Sequence, residues 1–320
     1  MILHGHHQGN VLYVIRNFAN KQICQDVAEN FNKMVNRNGG GNRADDGFVL
    51  TNQIGATQFS RNGEQYMAEV NRVNASVAEL MSVTDTYATE SLFLNRTLED
   101  LFLEEGIHFG PARYKNTYAC FATFRRWLDN GAMSLMPHED RAQLKFALQD
   151  NFEIADAMTV TAFNVCLEAA QGGGELKMWN LDPDEHCRAR FGVTDTGYPY
   201  PPHLLQGVES LSVQLNAGDI YFMNACHLHG VSSVSQGSRL TAGALLADSV
   251  TAKWCIGPDR NELNNDGLYT LPSELIMSLI WNMLIILLPR DTLLFLAVII
   301  RRCLKRITKT KILFFLTWSS

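Results

Sequence analysis

At 320 residues, 46% of them hydrophobic and 19% charged, the chain has room for one large domain or two small ones and the composition of a globular protein with a sizeable core. The formal charge of −6 is uneven: seven basic residues and two acidic ones follow residue 270, so the first 270 residues carry −11. So acidic a body argues against nucleic acid as the main partner, because phosphate binding needs clustered cations.

The opening "MILHGHHQGN" lacks the charged end and long apolar run of a signal peptide. His4, His6 and His7 are of a metal-binding type, but their place at a chain end reads as a solvated terminus. "NVLYVIRNF" (10–18) is apolar and partly β-branched, which predicts a short strand. Over 20–37, Ile23, Val27, Phe31, Met34 and Val35 recur at three- and four-residue steps, the spacing of an amphipathic helix. "NGGGNRADDG" (38–47) is a loop by composition. Residues 65–105 read as helix again, with one stripe of Met67, Val70, Val73, Val77, Leu80 and Met81. A second stripe holds Leu92, Leu94, Leu98, Leu101 and Leu103.

From about residue 110 the segments shorten and alternate. Strands are expected over 159–169, 175–181 and 238–248, with a turn at Gly172–Gly174. In 211–225, Leu211, Val213 and Leu215 alternate with polar residues before a turn at Gly218-Asp219 and another strand. Short strands separated by turn signals predict a barrel or jelly roll. The expected fold class is therefore α+β: a single domain over 1–260, with a helical part (1–108) packed on a β-core (109–260).

The tail departs from this pattern. "LIMSLIWNMLIILL" (275–288) and "TLLFLAVII" (292–300) flank Pro289-Arg290-Asp291, and a basic "RRCLKRITKTK" follows. A spanning helix needs about 20 apolar residues, and one drawn through both runs would bury Arg290 and Asp291 at roughly 2.5–3.5 kcal/mol each. Three readings stand for 271–320: a membrane anchor, a helical hairpin, or residues foreign to the natural fold. The third is preferred, because the body completes its pattern near 250–260. Seven cysteines, an odd number without C-x-x-C, fit a reducing compartment, and a cytoplasmic location is expected unless the tail is an anchor.

"SLMPHEDRAQL" (134–144) sets His138, Glu139 and Asp140 straight after a proline. An exposed charged turn is one reading. The other is a metal site, since two histidines and a carboxylate on one face hold Fe(II) with positions left open. If the strand runs that far, Ser134, Met136, His138 and Asp140 share a face. "ACHLHGVSSVSQGSRLTAG" (225–243) supplies His227 and His229, then Arg239 ten residues after His229, with Thr241 on the same strand face. A guanidinium fork beside a hydroxyl suits a carboxylate.

His138-Glu139-Asp140, His229 and Arg239-Leu240-Thr241 match in order and spacing the pattern of the 2-oxoglutarate- and Fe(II)-dependent dioxygenases, which the chain resembles. "GGGELKMWN" (172–180) is similar to the turn and strand between the two halves of that motif. Residues 110–250 resemble more narrowly a bacterial group that halogenates or hydroxylates free amino acids. That likeness lies in "FRRWLDNGAMSLMPHED", "GGGELKMWNLDPDE", "GYPYP" and "AGDIYFMNACHLHGV". The resemblance implies a double-stranded β-helix (jelly roll, cupin-like) core and iron held by His138, Asp140 and His229. It also implies 2-oxoglutarate on Arg239 with Thr241 assisting, and O2 as oxidant. In the group's halogenases a Gly or Ala replaces the carboxylate and admits halide; Asp140 here implies hydroxylation instead. A small polar substrate, such as a free amino acid, is expected.

Bland roles are weighed beside these. His227 competes with His229 as distal ligand, and would otherwise line the pocket or satisfy a core hydrogen bond. Asn164 is expected either to bond the cofactor or to pair structurally. Trp179 reads as packing. Arg125-Arg126 is read as a solvated pair, with a substrate carboxylate as the alternative. His186 and Cys187 read as loop. A non-catalytic binding module and a zinc hydrolase with the same ligands are the competing functions.

Overall fold

The alternating segments pair into two sheets that face each other across a cavity. The structure, a computed structural model, describes residues 5–37, 51–128 and 133–248 and the backbone of 252–255, all within one unit, Met1–Asn265. The expected loop at 38–47 and the tail at 271–320 lie outside the described residues. The strands of these two sheets are β1 (Leu12–Ile15), β2 (Thr51–Ile54), β3 (His108–Pro111), β4 (Thr123–Trp127), β5 (Leu135–His138) and β6 (Thr159–Glu168), followed by β7 (Leu176–Trp179), β8 (Ser210–Val213), β9 (Ile220–Asn224), β10 (His229–Val231), β11 (Arg239–Asp248) and β12 (Ala252–Cys255). The eight-stranded sheet runs β1-β9-β6-β11-β12-β3, with β4 also paired to β11 and β2 beyond β4. The four-stranded sheet runs β8-β7-β10-β5. With the helices of the N-terminal part this is the α+β double-stranded β-helix implied above.

The two long strands, β6 and β11, form the spine of the large sheet, Ala244 opposite Phe163 and Leu246 opposite Thr161. Both of their faces are covered, so their apolar run is nearly continuous. On β6 the alternation turns Ala162 and Asn164 toward the cavity and Phe163 and Val165 toward the helical side. α1 (Lys21–Arg37) covers that outer face, burying Val27, Phe31, Met34 and Val35 as their spacing requires. Ile23 is only half-buried. β4 follows the same rule: Thr123, Arg125 and Trp127 face the cavity, while Arg126 lies over the Phe31 ring at 5.2 Å.

α2 (Gly63–Met81) starts with a capping box: the Asn62 side chain accepts from the Gln65 N–H, and Gln65 returns the bond to the Asn62 N–H. Met67, Val70, Val77 and Leu80 are buried, and Val73 and Met81 are half-buried beside them. The second expected helix is in fact two, α3 (Thr86–Phe93) and α4 (Asn95–Glu104), broken at Leu94 with φ +54°. The break turns α4 so that Leu98 and Phe102, four apart, carry its buried face. Leu101 and Leu103 are therefore 54% and 70% exposed, against expectation. Two short helices follow, α5 (Leu144–Leu148) and α6 (Glu185–Phe191). α6 corrects the loop expected around His186 and Cys187; Asp184 caps it by accepting from the Cys187 N–H. Leu211 also departs from expectation: it is exposed, because β8 is the edge of its sheet. Among the described residues no helix is long and apolar enough to cross a membrane.

The expected glycine turn is a close approach between chain segments. Gly172–Gly173 pairs with Val234–Gln236, and Gly173 has φ +69° with room for no side chain: a Cβ there would lie 1.9 Å from the Ser233 carbonyl oxygen. Gly173→Ala should cost at least about 2 kcal/mol of unfolding free energy, whereas Gly192→Ala, at φ +70° but in open space, should cost about 1 kcal/mol. Urea denaturation of the two variants checks the difference; equal midpoints contradict it.

Candidate metal centre and cofactor pocket

β5 and β10 are neighbours, and His138 and His229 stand directly opposite one another. Paired residues of adjacent strands point to one face, so the two rings meet, with centroids 4.1 Å apart. Nδ1 of His138 lies 3.0 Å from the Met136 carbonyl oxygen, and Nδ1 of His229 lies 2.9 Å from that of His227. A carbonyl only accepts, so each Nδ1 carries its proton and each Nε2 its lone pair. Both rings are thereby fixed in the tautomer and orientation that a metal ligand needs.

Asp140 reaches the same point by another route. β5 ends at His138, so the strand does not carry residue 140 as the alternation supposed. The chain bends instead, and the Asp140 N–H donates to the Ala225 carbonyl at 2.8 Å. The bend sets Asp140 Oδ2 3.6 Å from His229 Nε2. One donor atom from each of His138, Asp140 and His229 lies within 4.8 Å of the others. Glu139, between the two ligand candidates, turns away and is buried. Its carboxylate accepts from the Ala142 N–H at 3.0 Å and faces Arg188 at 3.5 Å. Burial pushes its carboxyl up to about 7, against the lowering effect of those two partners. Glu139 thus braces the bend, a role that its sequence position did not signal.

His227 does not face the way His229 does. The chain turns there, with the His227 N–H on the Asn224 carbonyl at 3.2 Å, and β10 begins only at His229. The side chain of His227 is outside the cavity lining, and its Nδ1 is buried without a hydrogen-bond partner. Its carbonyl is what orients His229.

Arg239, Thr241 and Asn164 all line the cavity that holds the three candidate ligands. Arg239 is 2% exposed. It donates to the Gly174 carbonyl at 2.9 Å and to the Tyr221 hydroxyl at 3.4 Å, while its Nε is buried without a partner. Among the described residues no carboxylate forms an ion pair with it. A buried guanidinium held only by neutral groups is several kcal/mol short of its compensation. Thr241 Oγ1 accepts from Trp127 Nε1 at 3.1 Å, which leaves the hydroxyl proton to donate. Asn164 is half-buried beside Gly243, where a Cβ would come within 2.2 Å of Asn164 Oδ1.

Residues on no strand face complete the lining: Gln58, Phe59, Gln143 and Tyr198. Phe59 and Tyr198 meet edge-to-face at 5.8 Å, and Tyr198 lies 5.9 Å from the His138 ring. No periodicity marked them, although Tyr198 falls in the quoted "GYPYP". Arg125 lines the cavity too, contrary to the solvated pair expected for it. Arg126 is half-buried against α1, where burial lowers its pKa. Trp179 is packing, as expected: it is buried with Val193, Tyr200, Leu205 and Leu228 outside the cavity. At the N-terminus His7 bonds to the Tyr13 hydroxyl at 2.7 Å, and His4 lies outside the described residues.

Over residues 12–253 the chain matches the family described as carrier-protein-independent halogenase WelO5. It is 74% identical over 246 residues to the L-isoleucine 3(1)-dioxygenase of Pantoea ananatis (strain AJ13355), covering 77% of this chain and 83% of that protein. Solved structures with a distant likeness include an N-substituted L-amino acid dioxygenase from Burkholderia ambifaria AMMD. It is 15% identical with TM-score 0.38, and the match covers 59% of this chain and 68% of that one. Another is HygX from Streptomyces hygroscopicus, solved with nickel and 2-oxoglutarate. It is 14% identical with TM-score 0.38, and the match covers 82% of this chain and 92% of that one. Likeness that distant assigns nothing to individual residues. The family match spans every residue of the pocket, and the chain belongs to the family described as carrier-protein-independent halogenase WelO5.

Proposed function

We propose that the chain is a dioxygenase that hydroxylates a free amino acid with an aliphatic side chain, L-isoleucine first among them. Residues 1–260 form its single catalytic domain and 271–320 add nothing to catalysis. Free cysteines at 24, 120, 166, 187 and 226 fit work in the cytoplasm. The observation that carries the reading is Asp140 beside His138 and His229, with the buried Arg239 on the same cavity. The substrate rests on the relative named as an L-isoleucine dioxygenase.

The residues present fit both groups. Two imidazole Nε2 atoms and one carboxylate are the donor set of non-haem Fe(II) oxygenases. Among the described residues Arg239 has no ion pair with a carboxylate, and its Nε–H is unused, so it suits the far carboxylate of 2-oxoglutarate, with Thr241 donating beside it and Asn164 within the same pocket. When bound, the iron and its co-substrate supply, from O2, the oxidising power that no side chain has. The chain's own part is positional. His138 and His229 are held in place by backbone carbonyls, and Phe59, Tyr198 and Leu176 add apolar surface to the lining of the same cavity. Asp140 fills the position that a halide needs in the family's halogenases, so the outcome is hydroxylation.

Succinate release with Fe(II), 2-oxoglutarate, O2 and L-isoleucine tests this. Succinate should form together with an amino acid that has gained one oxygen atom. Release without an oxidised amino acid, or none from any aliphatic amino acid, contradicts the proposal.

A further inference from the structure

We infer that Gln143 is a positioning residue: it ties the two loops that carry Phe59 and Tyr198 to the turn that carries Asp140, and so sets which carbon of the substrate is oxidised. This rests on the amino-acid reading above and deepens it. Gln143 closes the single 3-10 turn Arg141–Gln143 that follows Asp140, and it is 5% exposed. Its N–H donates to the Asp140 carbonyl at 3.2 Å, and its carbonyl accepts from Gln58 Nε2 at 3.2 Å. Its Oε1 accepts from the Ser60 N–H at 2.7 Å, and its Nε2 donates to the Thr196 carbonyl. One buried residue thus bonds three separate chain segments through both its backbone and its amide.

A buried glutamine in a turn is ordinarily there to satisfy backbone groups. Here all three segments furnish the same cavity. Phe59 lies between the two residues tied to Gln143, and Ser60 has φ +54°, a conformation that an L residue holds only when its surroundings fix it. Thr196 passes the tie on, because its hydroxyl donates to the Tyr198 carbonyl at 2.7 Å. The two rings so placed meet edge-to-face at 5.8 Å, and Tyr198 lies 5.9 Å from the His138 ring. An aliphatic side chain has several carbons of similar reactivity and no polar atom to hold it. The aromatic surface beside His138 therefore decides which carbon lies nearest the metal ligands, and a misplacement of about 1 Å can cost about 100-fold in rate.

Substitution at Gln143 removes only the two amide bonds. The bonds to Asp140 and Gln58 use its backbone and survive, as does the Glu139 N–H on the Gly197 carbonyl at 3.1 Å. Arg239 and Thr241 bond to none of these groups.

The test measures oxidised isoleucine per succinate, and the carbon that gains oxygen, in the full chain with Fe(II), 2-oxoglutarate and O2. Wild type should give a ratio near one and a single product. Gln143→Met, which loses both amide bonds, should lower the ratio at least about threefold and place oxygen on a second carbon. Gln143→Glu, which keeps an acceptor for the Ser60 N–H and loses the donor to Thr196, should fall between. The affinity for 2-oxoglutarate should stay within about threefold in both. In metal-free wild type the Ser60 amide should exchange its hydrogen at least about tenfold more slowly than an unstructured amide. Either variant overturns the inference if product and succinate fall together at the wild-type ratio and position, which is the mark of a merely structural residue. A Ser60 amide that exchanges like an unstructured one overturns it too, and needs no variant to fold. Wild type that oxidises no aliphatic amino acid overturns the amino-acid reading itself, and this inference with it.

Discussion

Asp140→Ala is expected to end hydroxylation of L-isoleucine, with turnover down by about a thousandfold or more. Removing a group that merely orients a metal ligand costs about 10- to 100-fold, and Asp140 is itself the carboxylate of the candidate centre. The fold should survive. The bend at Asp140 is held by its backbone N–H on Ala225 and by the Glu139 carboxylate on Ala142, neither of which the substitution touches. Thermal unfolding of the metal-free variant should match wild type within a few degrees, about 1 kcal/mol for a chain of this size. Product formation by mass spectrometry is the readout. Turnover within about tenfold of wild type removes Asp140 from the ligand set.

Arg239→Met should separate binding from stability. The guanidinium is buried and, among the described residues, forms no ion pair with a carboxylate, so an apolar side chain of similar length is expected to leave unfolding unchanged or raise its midpoint. The affinity for 2-oxoglutarate should fall by about 30-fold or more, since truncating one partner of a buried charge pair costs about 2–5 kcal/mol. Added 2-oxoglutarate should therefore raise the thermal midpoint of the wild-type iron complex, by mass action, and do so far less for the variant. A variant that is destabilised yet binds 2-oxoglutarate normally would make Arg239 a structural residue.

The parts of this molecule that periodicity governs were legible from its residues. α1 and α2, β6 and β11 lie where apolar spacing placed them, because each buries a face against a neighbour of matching period. The ligand candidates were legible through spacing and family resemblance together. The reason given for Asp140 was wrong in one step, since a bend carries it and not a continued strand. His227 is told from His229 by the same kind of feature: the strand begins only at His229, and a turn precedes it. Leu94 hid the split between α3 and α4, because a left-handed residue leaves no mark in hydrophobic spacing. Gln58, Phe59, Gln143 and Tyr198 were illegible, because residues of loops and of a single 3-10 turn enter the cavity by tertiary contacts that no local pattern encodes. Arg125 shows the limit well. The alternation of β4 separates it from Arg126, but only the sheet order tells which side holds the cavity.

Crystals grown without oxygen in Fe(II) and 2-oxoglutarate, measured at the iron absorption edge, interrogate the centre most directly. A single anomalous peak is predicted roughly 2.0–2.2 Å from Nε2 of His138, Nε2 of His229 and a carboxylate oxygen of Asp140, with the distal carboxylate of 2-oxoglutarate paired to Arg239. An iron peak away from these three side chains, or a co-substrate whose far end turns from Arg239, contradicts the account.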